Sequence, residues 1–334
     1  MHIYIYIHLI SRDTKNYLIE KKILILGASG FIGQNLYLYF KKKNYKVFGT
    51  YLNKSVKNSY KKNIFKCNLT NYNEINSISD KIKNIDVIIN AAAITSGAKD
   101  IINTPHIHVN DNAIINSNIT KLSFEKKIKH VIMMSCSVMY PSSLKKLKET
   151  DHQDFQRIYP KYFGGAWMKI FMEKNSEFYS SLKRSKFTVI RHSNTYGPYD
   201  KYDLEKSHVF GATIAKTMNA KKTIKVWGEG TEIRDFLYID DLCRFIEMAI
   251  KKQNNSFEIY NVGSGKGISI KNLVKKVIEK SKKKLKIVYE INQPTLKTNI
   301  VLDCSKAQKD FNWKPKTSLE EGIVKSINWY TKKN

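Results

Sequence analysis

Cysteine is scarce in this chain. Cys67, Cys136, Cys243 and Cys304 are the only four in 334 residues, and no two form a Cys-x-x-Cys pair. That spacing excludes a disulfide framework and a zinc or other metal site, and it predicts a reducing compartment, the cytoplasm. No stretch reaches the roughly 18 consecutive apolar residues of a spanning helix, so no membrane partner is expected. Acids are also few: 29 Asp and Glu stand against 58 Lys and Arg, a formal net charge of +29. Arginine is nearly absent from that excess, with six residues, and the lysines are spread along the chain, as in 41–43, 251–252 and 282–284. Base readout draws on arginines and aromatics gathered on one face, and no such cluster occurs, so no specific nucleic-acid partner is expected. The charge should still attract anionic substrates and cause salt-sensitive background binding. A basic start and a small-residue cleavage site are missing from residues 1–20, which are read as an N-terminal extension: an added edge strand or a tail.

The strongest positive signal is Ile23-Leu-Ile-Leu-Gly27-Ala-Ser-Gly30-Phe-Ile-Gly33, followed by a helical run from Gln34 to Phe40. The order is buried strand, tight turn, helix. Gly27, Gly30 and Gly33 let the backbone approach a pyrophosphate, and the helix N-terminus offers unpaired N–H groups and a positive dipole end. The turn residues Ser29, Phe31 and Ile32 join them as candidate cofactor contacts. Strand-like runs recur at 45–50, 63–66, 86–90, 130–134 and 187–191, with helical stretches over 107–124 and 165–182. Such alternation predicts an α/β doubly wound parallel sheet with ligands at the C-terminal strand ends. The last third is less regular, with strands predicted at 223–227 and 257–261 and helices at 274–279 and 319–330.

Together these residues resemble the extended short-chain dehydrogenase/reductases that act on nucleotide sugars. The resemblance spans about Lys22 to Tyr330 and rests on the glycine turn, Asn90-Ala-Ala-Ala93, Tyr140-Pro141, Asn194-Thr-Tyr-Gly-Pro-Tyr-Asp200, Ser207-His-Val209, Val226-Trp-Gly-Glu-Gly230, Arg234-Asp-Phe-Leu-Tyr-Ile-Asp-Asp241 and Asn261-Val-Gly-Ser-Gly265. The pair Tyr-Gly-Pro-x-Asp and Ser-His-Val is similar to the branch that epimerises and reduces GDP-4-keto-6-deoxymannose. This implies a Rossmann-type domain over 21–194, rejoined by 224–262, and a smaller substrate-binding lobe from 195–223 and 263–334. It also implies a GDP-sugar substrate and a homodimer.

NAD enzymes usually carry an acid near the end of the second strand to hold the ribose 2′-hydroxyl. Gly49-Thr-Tyr-Leu-Asn-Lys54 has none. NADP(H) is therefore expected over NAD(H), with Lys54 as a candidate 2′-phosphate contact or one more solvated lysine. Asn68 and Leu69 would adjoin the adenine, and Ala91, Ala92 and Ala93 would line the cofactor.

The family's proton donor is a Tyr four residues before a Lys, with a Ser or Thr at the fifth strand's end. Three readings compete here. Tyr179 and Lys183 match literally, but Lys183 lies four residues before the sixth strand, where the helix should be leaving the site. Counting back from Asn194 puts the Lys at Lys169 and its Tyr at Gly165. The third pairs Lys169 with Tyr162, two helical turns away and nearly on one face. We adopt Lys169 and Tyr162, against a core-aromatic role for Tyr162. The Ser position falls on Cys136, flanked by Ser135 and Ser137, and Ser137 is kept as a candidate. The family's epimerising Cys would fall on Val138, so Cys136 is either a shifted counterpart or a buried structural thiol. Its partner His matches His208. Asn194, His208, Trp227 and Arg234 are the expected substrate contacts, Arg234 as a fork for diphosphate oxygens.

Overall fold

The computed structural model describes residues 21–53, 63–95, 97–151, 158–204, 207–293 and 295–333. The extension expected at 1–20, and Lys54, lie outside them.

The first half alternates strand and helix: β1 (Lys22–Leu26), α1 (Phe31–Lys42), β2 (Lys46–Tyr51), β3 (Ile64–Lys66), α2 (Tyr72–Ile82), β4 (Val87–Asn90), α3 (Ala98–Asn103), α4 (Asn110–Glu125), β5 (His130–Cys136), α5 (Phe163–Ser181) and β6 (Lys186–His192). Then come β7 (Asn194–Tyr196), α6 (Val209–Asn219), β8 (Thr223–Trp227), β9 (Ile233–Tyr238), α7 (Ile239–Lys252), β10 (Phe257–Val262), β11 (Gly267–Ser269), α8 (Ile270–Ser281), β12 (Lys286–Glu290), α9 (Ser305–Phe311) and α10 (Leu319–Lys333). One seven-stranded sheet runs β10-β6-β5-β4-β1-β2-β3, every neighbouring pair parallel. The doubly wound parallel architecture is thus observed.

Each central strand is buried on both faces, which explains its unbroken apolar run. Ile23, Ile25, Ile89 and Ile132 pack with Leu36 and Phe40 of α1 and Phe245 of α7. Leu24, Leu26, Ile88, Val131 and Met133 face the other way, onto Ile78 of α2, Leu122 of α4 and Met172 of α5. The strand order reverses between β1 and β4, and a doubly wound sheet opens a ligand crevice at the strand C-termini there.

Of the stretch 224–262, β10 extends the main sheet beside β6, while β8 pairs with β12 in a two-stranded ribbon. β9 lies between β7 and β11 in a third, three-stranded sheet. Among the described residues no helix is long and apolar enough to cross a membrane.

His130 opens β5 and carries a testable pH dependence. Its Nε2 lies 2.7 Å from Thr188 Oγ1 inside the sheet. Burial, and then Lys186 and Lys21, press its pKa down from 6.5 to about 3. The unfolded chain therefore binds a proton through a range where the native state refuses one. The stability contribution is complete above about pH 6.5 and is lost as pH falls towards the folded value. At 1.36 kcal/mol per unit, the loss should reach roughly 3 kcal/mol by about pH 4.5. Denaturant titrations of wild type and His130→Gln check this: the variant should lose distinctly less stability over that interval.

Candidate active site

The crevice begins at the glycine turn. Gly27 has φ +76°, and a Cβ on it would lie 2.8 Å from the Ala92 Cα. A Cβ on Gly33 would lie 2.1 Å from Gly27 O, so α1 can start this close to β1 only with glycine there. Thr50, buried at the end of β2, fixes the turn from the side: its hydroxyl accepts the Gly27 N–H at 3.1 Å and its carbonyl accepts that of Ala28 at 2.7 Å. Gly30 is the N-cap of α1. No side chain caps the helix, and its first turn contains no acid. Open amides without a nearby carboxylate suit an anion, so the turn fits the diphosphate of a dinucleotide. Ser29, Phe31 and Ile32 are half-buried along it.

The neighbouring strand exits close around it. Ala91 donates to Leu26 O at 3.1 Å, Ala92 donates to Asn90 Oδ1 at 3.2 Å, and Ala93 follows. Asn90 donates in turn to Asn116 Oδ1 of α4 at 2.9 Å, and Asn112 of α4 bonds both the N–H and the C=O of Ile94. These two buried asparagines set the loop's course. Asn68 is less available than expected. Its Oδ1 accepts from both the amide and the hydroxyl of Thr70, at 3.1 and 2.8 Å, which leaves its Nδ2 as the group to meet a base. Asn118 holds the Leu69 carbonyl at 2.9 Å. Tyr51, Leu52 and Asn53 end the described part of the β2 exit with no carboxylate.

Lys169 on α5 and Cys136 on β5 are the candidate proton carriers. Lys169 Nζ donates to Met134 O at 2.8 Å. Burial presses its pKa down, while Cys136 and Glu173 pull it back up. Cys136 ends β5, its thiol pushed up by burial and drawn back by Lys169. Tyr162 immediately precedes α5, with its phenol pushed up by burial and opposed by Arg234 and by a hydrogen bond to Thr298. It also feels Cys136. Tyr162 is half-buried and packs against the cluster of Met139, Tyr140, Leu147 and Ile170, within electrostatic reach of Cys136 and Arg234. At Gly165 a Cβ would meet nothing within 4 Å, so the position one turn before Lys169 is open space. Tyr179 lies elsewhere. Its ring packs edge-on to Phe124, and α5 ends two residues later, where β6 is about to begin. Ser137 follows Cys136, its carbonyl accepting from Tyr140 N at 3.2 Å.

A buried ionic network underlies this wall. Glu173, one turn after Lys169, accepts Arg191 Nε at 3.0 Å, Arg191 Nη2 at 2.5 Å and Ser135 Oγ at 2.6 Å. Arg191 also donates to Tyr140 OH at 3.0 Å, and Tyr140 donates to Asn261 Oδ1 at 2.6 Å. Arg191 is 0% and Glu173 3% exposed.

The second lobe supplies the remaining candidates. His208 is the N-cap of α6 and is exposed. Desolvation by the surrounding chain, and then Lys201 and His108, lower its pKa, although the residue as a whole is exposed. Asn194 Nδ2 donates to Asp235 O at 3.1 Å. Arg234 is already engaged: its guanidinium donates to Leu296 O at 2.6 Å, Ile233 O at 3.1 Å and Thr298 O. Its fork is thereby pre-oriented, with fewer donors left for an anion than the sequence suggests. Trp227 ends β8, half-buried beneath Lys216. Asp241 does not cap α7, whose N-cap is Tyr238. Instead its carboxylate accepts the amides of Lys316 and Thr317 at 2.8 and 2.9 Å.

Sequence reasoning missed His192, Thr50, Asn112, Asn116 and the Glu173–Arg191 pair. His192 is the last residue of β6, the register partner of Cys136.

Comparisons with known proteins bear on the family and the fold. The sequence profile described as NAD dependent epimerase/dehydratase family matches residues 23–263. The chain is 29% identical to the GDP-L-colitose synthase of Yersinia pseudotuberculosis over 316 residues, 92% of this chain and 97% of that protein. It is 31% identical to a GDP-L-fucose synthase of Sinorhizobium fredii over 265 residues, 78% of this chain and 83% of that protein. Among solved structures, the UDP-glucose 4-epimerase of Thermotoga maritima with UDP-glucose superposes with a TM-score of 0.81 at 23% identity, covering 93% of this chain and 99% of that one. At that identity the likeness speaks for the fold.

Proposed function

The chain belongs to the NAD dependent epimerase/dehydratase family, and from that premise we propose that it is an NADPH-dependent 3,5-epimerase/4-reductase converting GDP-4-keto-6-deoxy-D-mannose to GDP-L-fucose. The observation that carries the reading is that Cys136, at the end of β5, has both Lys169 and Tyr162 within electrostatic reach, beside a glycine turn shaped for a diphosphate. The GDP-sugar relatives support the nucleotide. The absence of an acid over 51–53 supports NADP(H) over NAD(H).

The turn residues, Ala91–Ala93 and Lys169 would hold the dinucleotide. When bound, it supplies the hydride that reduces the C4 ketone. The protein's own groups handle protons. The carbons flanking the ketone, C3 and C5, carry acidic hydrogens, and Cys136 and His208 exchange them. Tyr162, whose raised pKa keeps the phenol protonated, donates to the oxygen that becomes the C4 hydroxyl. Lys169, a buried cation beside Cys136, stabilises the negative charge developing there.

The test is NADPH consumption with GDP-4-keto-6-deoxymannose, with the product sugar identified by NMR. Steady consumption and GDP-L-fucose support the reading. No consumption by protein that binds NADPH overturns it. Turnover of a UDP- or dTDP-linked keto-sugar instead would make the chain another epimerase, dehydratase or reductase of the family. Gly165, standing where the resemblance places the family's tyrosine, favours one further alternative, a non-catalytic dinucleotide-binding protein.

A homodimer is part of the same proposal. Phe163, Trp167, Phe171 and Phe178 of α5 and Ile114 of α4 are exposed, between 39% and 62%. The first three recur every fourth residue, a stripe suited to a two-fold partner helix. Phe171→Glu should shift sedimentation from dimer to monomer. A wild-type monomer at micromolar concentration would sink this part.

A further inference from the structure

Cys136 and His192 are partners in the β5–β6 ladder and therefore stand side by side on one face of the sheet, at the mouth of the crevice. The ring's proton can be assigned. Nδ1 lies 2.8 Å from Ser193 O, and a carbonyl oxygen can only accept, so Nδ1 carries the hydrogen. Thr195 Oγ1 lies 3.2 Å from the same nitrogen and 3.4 Å from the same carbonyl, so it shares that bond. The neutral imidazole is left with Nε2, its distal nitrogen, as a base. His208 is the imidazole that the sequence pattern pairs with the thiol, but it sits on α6, in the other lobe. His192 belongs to the same sheet as Cys136, and its distance is set by the ladder whatever the lobes do.

We propose that His192 is a positioning residue that takes the thiol proton of Cys136, so that Cys136 acts as a thiolate base on the substrate's C–H. The inference rests on the keto-sugar reading above. In the first step the Sγ–H bond breaks and an Nε2–H bond forms. The thiolate then removes a proton from the carbon beside the ketone, and the electron pair passes into the enolate. A solvent proton relayed through the neutral His208 then reprotonates that carbon from the opposite face, and the imidazolium left on His192 gives its proton to solvent, which restores the thiol and the free imidazole. No oxidant or reductant enters.

The charged and titratable groups facing the pair come from several elements. Lys169 and Glu173 face it from α5, Arg191 from β6, Tyr162 from before α5 and His208 from α6. Burial, Lys169 and His208 hold the His192 pKa down, to about 4, against the opposing pull of its Ser193 bond. Burial keeps Cys136 a thiol at rest. The resting pair is thus neutral, a thiol and a free imidazole on adjacent strands of one ladder.

Alkylation of Cys136 by iodoacetamide, followed peptide by peptide in the full-length protein by mass spectrometry, tests this without any sugar. In wild type the rate should hold a plateau below neutral pH that ends only where His192 gains a proton. In His192→Asn, whose amide can still donate to Ser193 O but has no distal nitrogen, the rate at pH 7 should fall about 100-fold, the low end of what general-base assistance supplies. Cys304, half-buried behind Gly263, reports in the same digest that the fold is intact. A single thiol ionisation curve in wild type overturns the proposal even if the variant does not fold, and so does an unchanged Cys136 rate in the variant. If the alkylation result holds while wild type turns over no keto-sugar, the pair stands and the substrate reading fails. If alkylation is unaffected while turnover proceeds, the substrate reading stands and the pair fails.

Discussion

Glu173→Gln should destabilise the protein by about 3–5 kcal/mol, the usual cost of removing one partner from a buried ion pair. Arg191 is fully enclosed, with its guanidinium aimed at Glu173, Tyr140 and the Glu149 carbonyl. Neutralising Glu173 strands that cation in a medium that cannot solvate it, and weakens the acceptor for Ser135. For a chain of this size the midpoint of thermal unfolding should fall by about 4–7 °C. The double variant Glu173→Leu with Arg191→Met removes both charges and should recover most of the loss. Equal destabilisation of the single and double variants would mean that packing around α5, not charge, sets the cost. The pair also bears on chemistry. Glu173 supports the protonated form of Lys169 one turn away, so the single variant should lower the pH at which Lys169 loses its proton.

That network marks where the sequence stops being legible. The strands β1 and β4 could be read directly, because a parallel strand buried on both faces is a short apolar run such as Ile23–Leu26 or Val87–Ile89. The glycine turn was equally clear, because its three glycines are required by backbone approach and not by any partner far along the chain. Glu173 and Arg191 are 18 residues apart, and in a list of residues each looks like one more solvated charge. Asp235 is similar: wholly buried, it accepts the amides of Ser264, Gly265 and Leu302, which are scattered contacts with no local pattern. β12 pairs with β8 although most of its residues are polar or exposed, and an edge ribbon of that kind has no apolar periodicity to reveal it. His192 went unnoticed because a histidine ending a strand has no local signature; its interest comes from the register that sets it beside Cys136. Among the proposed proton carriers, Lys169 was found by counting from a motif. The slot at Gly165 could be counted too, but only the structure shows that the space there is open.

Lys169→Met should lower turnover of the keto-sugar about 1,000-fold while leaving the fold intact. The methionine keeps most of the side chain's length and loses one hydrogen bond, to Met134 O, worth about 1 kcal/mol. What disappears is a buried cation beside the reacting groups, and a positioned group of this kind contributes roughly 100- to 10,000-fold to rate. If Lys169 also holds the dinucleotide, its KM should rise in the same variant; a fall in turnover without that rise would confine Lys169 to proton chemistry. Gly165→Tyr gives the complementary measurement. A Cβ there meets nothing, and position 165 lies one turn before Lys169 on the same face of α5. Replacing a helical glycine should add up to about 1 kcal/mol of stability. The new phenol would stand within reach of the Lys169 ammonium, which favours the phenolate. The pH–rate profile should then acquire an ionisation below the ordinary tyrosine value of about 10, and that ionisation should vanish when Lys169→Met is added. A new ionisation that survives the loss of the ammonium would show that the two groups do not share the crevice.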